Sequence, residues 1–232
     1  MPYFYGFDTY YLILVLPAII FAMWAQAKVG STFKKYSMVV SQRGMTGAQA
    51  AQAVLAANGV YNVRIERVAG NLTDHYDPRT NVIRLSDSVH SSNSVAAMGV
   101  AAHEAGHAVQ YAKGYAPIKI RQAIIPVTQI GSSLALPMII MGVLFSNSMF
   151  INLGIIFFAA ATVFQLITLP VEFNASSRAI KALAEGGLLY EDELSGAKKT
   201  LTAAALTYVA ALAVSLAQLL RLIFIFGGRD RD

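Results

Sequence analysis

Residues 124–168 determine the fold class, and they are IIPVTQIGSSLALPMIIMGVLF-SNS-MFINLGIIFFAAATVFQLIT. Neither apolar run in this stretch contains Asp, Glu, Lys or Arg. Each run has the length of about 20 residues that a helix needs to cross a bilayer. Only Ser146-Asn147-Ser148 separates the runs, so the stretch predicts a tight transmembrane hairpin.

The composition of the whole chain agrees with a membrane protein. Two further apolar runs, Tyr10–Ala27 and Leu201–Phe226, bring the predicted spans to four. Of the 232 residues, 56% are hydrophobic and 13% charged, whereas a soluble domain has about 45–50% apolar and about 25% charged residues. These values exclude a disordered chain and an ordinary soluble domain. The absence of cysteine excludes a disulfide framework, a cysteine zinc site and a thiol nucleophile.

The basic residues predict the orientation of the chain. Residues 28–123 carry eleven Lys and Arg and residues 170–200 carry four, whereas residues 1–9 and the 146–148 loop carry none. The positive-inside rule therefore puts both polar segments in the cytoplasm. The same count puts the N-terminus, the short loop and the tail Arg229–Asp232 outside. The net charge of +5 then faces anionic lipid and requires no nucleic-acid partner.

We therefore predict a mainly α-helical membrane protein with four transmembrane helices and a small cytoplasmic α+β part. The predicted segments are an N-terminal span in residues 1–27, a cytoplasmic segment in 28–123, the hairpin in 124–169, a second cytoplasmic segment in 170–200, and a final span with its tail in 201–232. Ala25-Gln26-Ala27 resembles a signal-peptidase site, but no basic residue precedes the first apolar run, which favours a retained span. Arg221 lies near enough to the end of the last span to snorkel to the interface.

Within the first polar segment, the sequence predicts helices over 46–58 and 94–113, with Thr46 and the Ser92-Asn93-Ser94 cluster as caps. Three runs with period-two character lie between these helices. Because turn sequences separate them, they predict a small antiparallel sheet; the runs are Tyr61–Val68, Leu72–Tyr76 and Asn81–Ser86.

The second of these helices contains His103-Glu104-Ala105-Gly106-His107, an H-E-x-x-H pattern. Residues four apart lie on one helix face, so both histidines can direct a ring nitrogen at one zinc ion. Glu104 lies beside that point and can take a proton from water there. The alternative is a pair of helical histidines satisfied by polar neighbours, but it gives the charged Glu104 no purpose.

A catalytic zinc ion needs a third protein ligand and an open position for water. The extended pattern would place Gly at 110 and His at 113, where this chain has Gln110 and Lys113. The third ligand must therefore come from elsewhere. Glu172 is favoured because the hairpin returns the chain to the side where the H-E-x-x-H helix ends, and His75 and His90 are the alternatives.

Over essentially its whole length, the chain resembles the YugP-type neutral zinc metallopeptidases of bacterial membranes, and it is more distantly similar to the HtpX-type membrane gluzincins. The resemblance rests on four segments: Asp77-Pro78-Arg79, Val82–Ser86, Ala101–Gln110 and Glu172–Ser176. It implies a gluzincin-like catalytic part with one Zn²⁺ per chain, held by His103, His107 and Glu172, and with Glu104 as the general base. Ser176 stands where the wider gluzincin pattern has an Asp that supports a ligand histidine, and a hydroxyl adds no negative charge there.

The resemblance implies a membrane-embedded metalloprotease, a hydrolase of the bacterial plasma membrane acting on membrane-associated or misfolded proteins near the cytoplasmic face. The alternative is a non-catalytic membrane scaffold or partner-binding protein with a structural zinc site. The expected partners are peptide substrates, the lipid bilayer and, as an open alternative, a membrane-protein assembly.

Two finer expectations concern the substrate. Strand 81–86 precedes the zinc helix, and a free edge there would bind an extended peptide, with Val82, Ile83, Arg84 and Leu85 as the residues involved. The alternative is a plain packed strand. A donor to the developing oxyanion is also expected, and spacing does not separate the candidates His75, Tyr76, His90, Tyr111 and Arg178. For each of them, the alternative is a surface or interfacial residue.

Overall fold

A computed structural model of the chain describes residues 8–227. The tail Arg229–Asp232 therefore lies outside the described residues. The elements are, in chain order, a π-helical turn Tyr11–Val15, α1 Leu16–Ser37, α2 Gly47–Ala57, β1 Arg64–Val68, β2 His75–Asp77, β3 Val82–Ser86, α3 Asp87–His90, α4 Val95–Ala112, α5 Ala116–Leu144, α6 Ser148–Glu185 and α7 Glu191–Phe226.

Four of the helices within residues 8–227 are long and apolar enough to cross a membrane, which confirms the predicted number. They are the segment Tyr11–Ser37 and helices α5, α6 and α7. Pro126 and Pro137 lie inside α5. Both prolines are tolerated because a neighbouring helix or a local adjustment can satisfy the backbone groups they free.

The helices extend well beyond the apolar runs. The third run ends at Thr168 in the sequence, but α6 continues through Pro170 to Glu185. Glu172 therefore lies inside a helix that is continuous with the third span, rather than at the start of a new helix. Pro170 removes one backbone hydrogen bond from α6. The residues that follow it nevertheless remain helical as far as Glu185.

The described residues fall into two compact units. The helical unit comprises residues 8–26, 120–169 and 207–227. Within it, the hairpin helices approach closely at two glycines. A Cβ atom on Gly154 would lie 2.8 Å from the carbonyl oxygen of Ala135, and one on Gly142 would lie 2.7 Å from the backbone nitrogen of Ile151. Small residues allow such close packing between membrane helices.

Arg221, which lies near the end of the last span, has a partner in the same unit. Its Nε and one terminal nitrogen lie 2.8 and 2.6 Å from Oδ2 of Asp8. The other oxygen of Asp8 accepts a hydrogen bond from the backbone N–H of Tyr11. The start of the first span and the end of the fourth therefore lie at the same end of this unit, as an even number of crossings requires.

The second unit, called the mixed unit, comprises residues 27–119 and 170–206. Its apolar core is formed by α2, β3 and α4 together with parts of α6 and α7. The predicted helix caps are confirmed. Thr46 and Gln49 form a reciprocal capping box at the start of α2, and the Ser94 side chain accepts from the backbone of Ala97 at the start of α4.

The sheet differs from the prediction of an antiparallel sheet. Its strand order is β1-β3-β2, with β1 parallel and β2 antiparallel to β3. The strand that was expected to present a free edge, β3, is thus the central strand. A period-two pattern indicates which face of a strand is buried, but it does not encode the order of the strands, and both faces of β3 are in fact buried.

The residues of β3 are accordingly unavailable to an added peptide strand. Val82, Ile83 and Leu85 are completely buried. Arg84 forms ion pairs with Glu66 and Asp77 on the two flanking strands. Because β2 and β1 already pair with β3 on its two sides, the structure favours the alternative of a packed strand over the addition of a substrate strand at β3.

Candidate metal centre

Helix α4 positions the two histidines of the H-E-x-x-H pattern. His103 and His107 are one turn apart and lie on the same face, with ring centroids 4.7 Å apart and ring planes at 82°. The remainder of this helix is rich in Ala and Val, and most of its residues are buried. The helix is therefore held on nearly all sides, and the histidines project from a fixed backbone.

Helix α6 brings a carboxylate to the same point. Oε2 of Glu172 lies 3.3 Å from Nε2 of His103 and 3.5 Å from Nε2 of His107. The three candidate ligand atoms all lie within 4.8 Å of one another. No other cluster of three or more His, Cys, Asp or Glu with metal-binding geometry occurs in residues 8–227. The alternatives His75 and His90 are not part of this group.

Each histidine is oriented through its other ring nitrogen. Nδ1 of His103 lies 3.1 Å from Oγ of Ser176, and Nδ1 of His107 lies 3.0 Å from Oε1 of Gln110. A histidine that donates from Nδ1 keeps the lone pair of Nε2 for a metal ion. Both Nε2 atoms face Glu172. In each histidine, the tautomer with its proton on Nδ1 therefore leaves Nε2 free to bind a metal ion.

Gln110 is a site residue that the sequence does not single out. Its side chain is completely buried. While Oε1 faces His107, Nε2 donates to the carbonyl oxygen of Val171 at 2.8 Å and to Oδ1 of Asn174 at 3.0 Å. The amide thus connects α4 to α6 beside Glu172. Its signal in the sequence is a polar residue three positions after a ligand histidine on an otherwise apolar helix.

The donor set suits a zinc ion. Two imidazole nitrogens and one carboxylate oxygen are the ligands of many catalytic zinc sites and leave a fourth position open. Burial acts to lower the pKa of His107, but the hydrogen bond with Glu172 and the charge of Glu104 outweigh it and raise the pKa. The same local excess of negative charge favours a bound cation.

Glu104 is almost fully buried on α4, next to His103. A second carboxyl group, that of Asp74, is close enough to be influenced by its charge. Burial and the charge of Glu104 raise the pKa of Asp74, although hydrogen bonds from the backbone and hydroxyl of Ser86 oppose the change. No sequence pattern indicates Asp74, because only the sheet brings it to this position.

The five candidates for the oxyanion donor have different environments. Nδ1 of His75 contacts the carbonyl oxygen of Thr73, and Nδ1 of His90 contacts the neighbouring Ser91. Arg178 donates to Oδ1 of Asn174 at 2.7 Å. Since Asn174 also accepts from the amide that orients His107, Arg178 is connected to the metal-ligand network.

The two tyrosine candidates pack against each other, with the rings of Tyr76 and Tyr111 5.6 Å apart. Burial, with smaller contributions from Tyr111 and Asp77, raises the pKa of Tyr76 to about 12. Its hydroxyl is therefore protonated at neutral pH, and it donates to Oδ1 of Asn81 at 2.7 Å.

Comparisons with known proteins give a consistent result. A family model described as "Putative neutral zinc metallopeptidase" matches residues 11–227. The chain is 48% identical over 223 residues to "Putative membrane protease YugP" of Bacillus subtilis (strain 168), which covers 96% of this chain and 99% of that relative. No solved structure matches the chain significantly. With its four apolar helices and its His-His-Glu cluster, the chain belongs to this family of neutral zinc metallopeptidases.

Proposed function

We propose that the protein is a zinc metalloendopeptidase of the bacterial plasma membrane that hydrolyses peptide bonds of membrane-associated or misfolded proteins near the cytoplasmic face. One observation carries the proposal. His103, His107 and Glu172, from two different helices, direct three metal-ligating atoms at one point beside the buried Glu104.

The proposed roles follow from the chemistry of these side chains. A zinc ion bound by His103, His107 and Glu172 would polarise the scissile carbonyl group and acidify a water molecule. Glu104 accepts a proton from the attacking water and passes it to the leaving amine. Ser176 and Gln110 keep the two imidazole rings in the orientation that binding requires.

Two observations support a site near the membrane surface on the cytoplasmic side. Glu172 follows the last apolar residue of its span, Thr168, by four positions on one continuous helix, which corresponds to about 6 Å along the axis. The basic residues are concentrated in the two polar segments that carry the site, and such segments remain in the cytoplasm. Substrates at this position would be membrane proteins or proteins close to the bilayer.

The replacement Glu104→Gln tests the proposed mechanism. It removes the general base but none of the three ligands, so we expect zinc at one ion per chain and a rate of casein or self-cleavage lower by about 10²–10⁴-fold. Glu172→Gln, in contrast, should lose zinc together with activity. Zinc is measured by elemental analysis of the purified full-length protein.

Glu185→Gln is the matched control, because Glu185 is an exposed residue of α6 whose partner is Lys181. It should keep both zinc and activity. Cleavage at the native rate by Glu104→Gln would refute the role of Glu104. Stoichiometric zinc in the native protein without any Glu104-dependent cleavage would instead support the scaffold with a structural zinc site.

A further inference from the structure

A basic pocket lies in the mixed unit and is lined by side chains of α1 and α7. It has a volume of about 590 Å³, within the range of small-molecule sites. Four lysines line it, two from each helix, and hydroxyl groups lie between them. The residues are Lys28, Lys35, Lys198, Lys199, Thr32 and Thr202. No Asp or Glu is part of the lining.

These four lysines concentrate positive charge around one concave surface. Within the described residues, none of them forms an ion pair, whereas Lys181 of α6 pairs with Glu185. Several like charges around one concave surface repel each other and attract an anion. The hydroxyls of Thr32 and Thr202 add groups that can donate hydrogen bonds to anion oxygens.

The pocket is formed by close packing of the two helices. The ring of Tyr36 lies directly against Gly196 of α7, where a Cβ atom would come within 2.7 Å of the ring. A larger residue at Gly196 would push the ring away. This packing holds the lysines of α1 opposite those of α7. The pocket therefore exists only when the mixed unit is folded.

The positions of the lysines along their helices indicate the kind of anion. Lys28 is the first charged residue after the apolar run of α1, and Lys199 is the last charged residue before the apolar run of α7. Both therefore lie where an apolar helix leaves the hydrocarbon region, which is the level of the lipid headgroups. The anions concentrated at this level are those of lipid headgroups.

We propose that this pocket binds the phosphate of an anionic phospholipid headgroup, such as that of phosphatidylglycerol, with the four lysines as the binding groups. The site contains none of the residues assigned to the metal centre. The proposal is therefore independent of the proposed peptidase activity.

The test uses the purified full-length protein in an uncharged detergent, titrated with phosphatidylglycerol or phosphatidylcholine, with bound lipid counted by native mass spectrometry. We expect phosphatidylglycerol to bind in preference to phosphatidylcholine. The double variant Lys35→Gln/Lys199→Gln should bind phosphatidylglycerol about 30-fold more weakly, since each lysine near an anionic headgroup contributes about fivefold. Unchanged zinc content and Tm would show that the variant is folded.

The matched control is Lys34→Gln/Lys181→Gln, which removes the same charge from exposed positions outside the pocket. It should change binding by less than about twofold, because these lysines do not surround the headgroup. Equal losses in the two double variants would overturn the proposal, since surface charge alone would then explain binding. Equal binding of the two lipids would overturn it as well.

A separate titration with inorganic phosphate, followed by calorimetry without lipid, distinguishes the source of the anion. We expect no binding at millimolar concentration. Binding of inorganic phosphate that depends on Lys35 and Lys199, without preferential binding of phosphatidylglycerol, would show a site for a soluble phosphorylated ligand and overturn the lipid assignment.

Discussion

At the scale of single residues, the ligand histidines are held by two uncharged side chains. Ser176 contacts His103, and Gln110 accepts from His107. Neither adds negative charge, so neither makes its histidine as basic as a carboxylate would. Gln110 has the larger role, because its amide also bonds the backbone of α6 at Val171.

Replacing Gln110 by Leu should weaken zinc binding by about 10–100-fold, the usual effect of removing a group that orients a ligand histidine. The variant leaves the Nδ1 proton of His107 without its acceptor in a buried position. Zinc affinity is measured by competition with a chromophoric chelator.

The variant Gln110→Glu separates orientation of the histidine from a purely structural role. It keeps an acceptor for His107 but buries a charge and removes the donor to Val171. We expect it to retain zinc better than Gln110→Leu while lowering Tm at least as much. If zinc affinity followed Tm in both variants, Gln110 would act only through the fold.

At the scale of secondary-structure elements, the metal centre depends on how closely α4 approaches its neighbours. A Cβ atom on Gly106 would lie 2.7 Å from the carbonyl oxygen of Ala175 on α6. Backbone cannot move aside as a flexible side chain does, so the absence of a side chain here fixes the spacing of the two helices. Packing against α6 therefore explains the glycine at this position.

Gly106→Ala should therefore lower zinc occupancy. The two helices must separate by several tenths of an ångström, and Glu172 lies less than one turn from Ala175 on the displaced helix. We also expect a loss of about 1–3 kcal/mol in stability, as is common for overpacking. Elemental analysis and thermal unfolding measure the two effects.

Gly99→Ala is the matched control on the same helix. A Cβ atom there would lie 3.4 Å from Cβ of Ala197, an ordinary van der Waals contact. Alanine is favoured over glycine in a helix by about 1 kcal/mol, so this variant should keep its zinc and have a Tm that is unchanged or raised. A similar loss of zinc in both variants would contradict the packing argument.

At the scale of the whole chain, the pair of Asp8 and Arg221 joins residues 213 positions apart. Both side chains are largely shielded from solvent. The guanidinium group also lies 5.2 Å from the centre of the Tyr11 ring. A charge that is shielded from solvent is costly without its partner, so the pair stabilises the contact between the first and last spans of the helical unit.

We expect Asp8→Ala and Arg221→Ala each to lower Tm, and the double variant to lose less than the sum of the two. The reason is that each single variant leaves a shielded charge unpaired. The coupling should be about 0.5–3 kcal/mol, against about 0.3–0.5 kcal/mol for the exposed pair of Lys181 and Glu185. Thermal unfolding in detergent measures the double-mutant cycle of each pair. Strictly additive effects of the Asp8 and Arg221 variants would show that the contact contributes nothing.

The sequence by itself determined the features that rest on local pattern. Apolar runs predict four spans because the length of a helix and the thickness of the bilayer are both fixed. The H-E-x-x-H pattern places His103 and His107 on one face because the helical repeat is 3.6 residues. The caps at Thr46 and Ser94 follow from their side-chain oxygens, which lie next to unpaired backbone donors.

Only the tertiary structure decided the features that depend on contacts between distant residues. The order of the strands, and hence the pairing of β3 on both of its edges, depends on which partners the strands meet. The fold alone brings Gln110 to α6, Asp74 to Ser86 and Arg221 to Asp8. Hydrogen bonds and ion pairs of this kind act over a few ångströms, and a linear pattern contains no information on which distant residues the fold brings within that range.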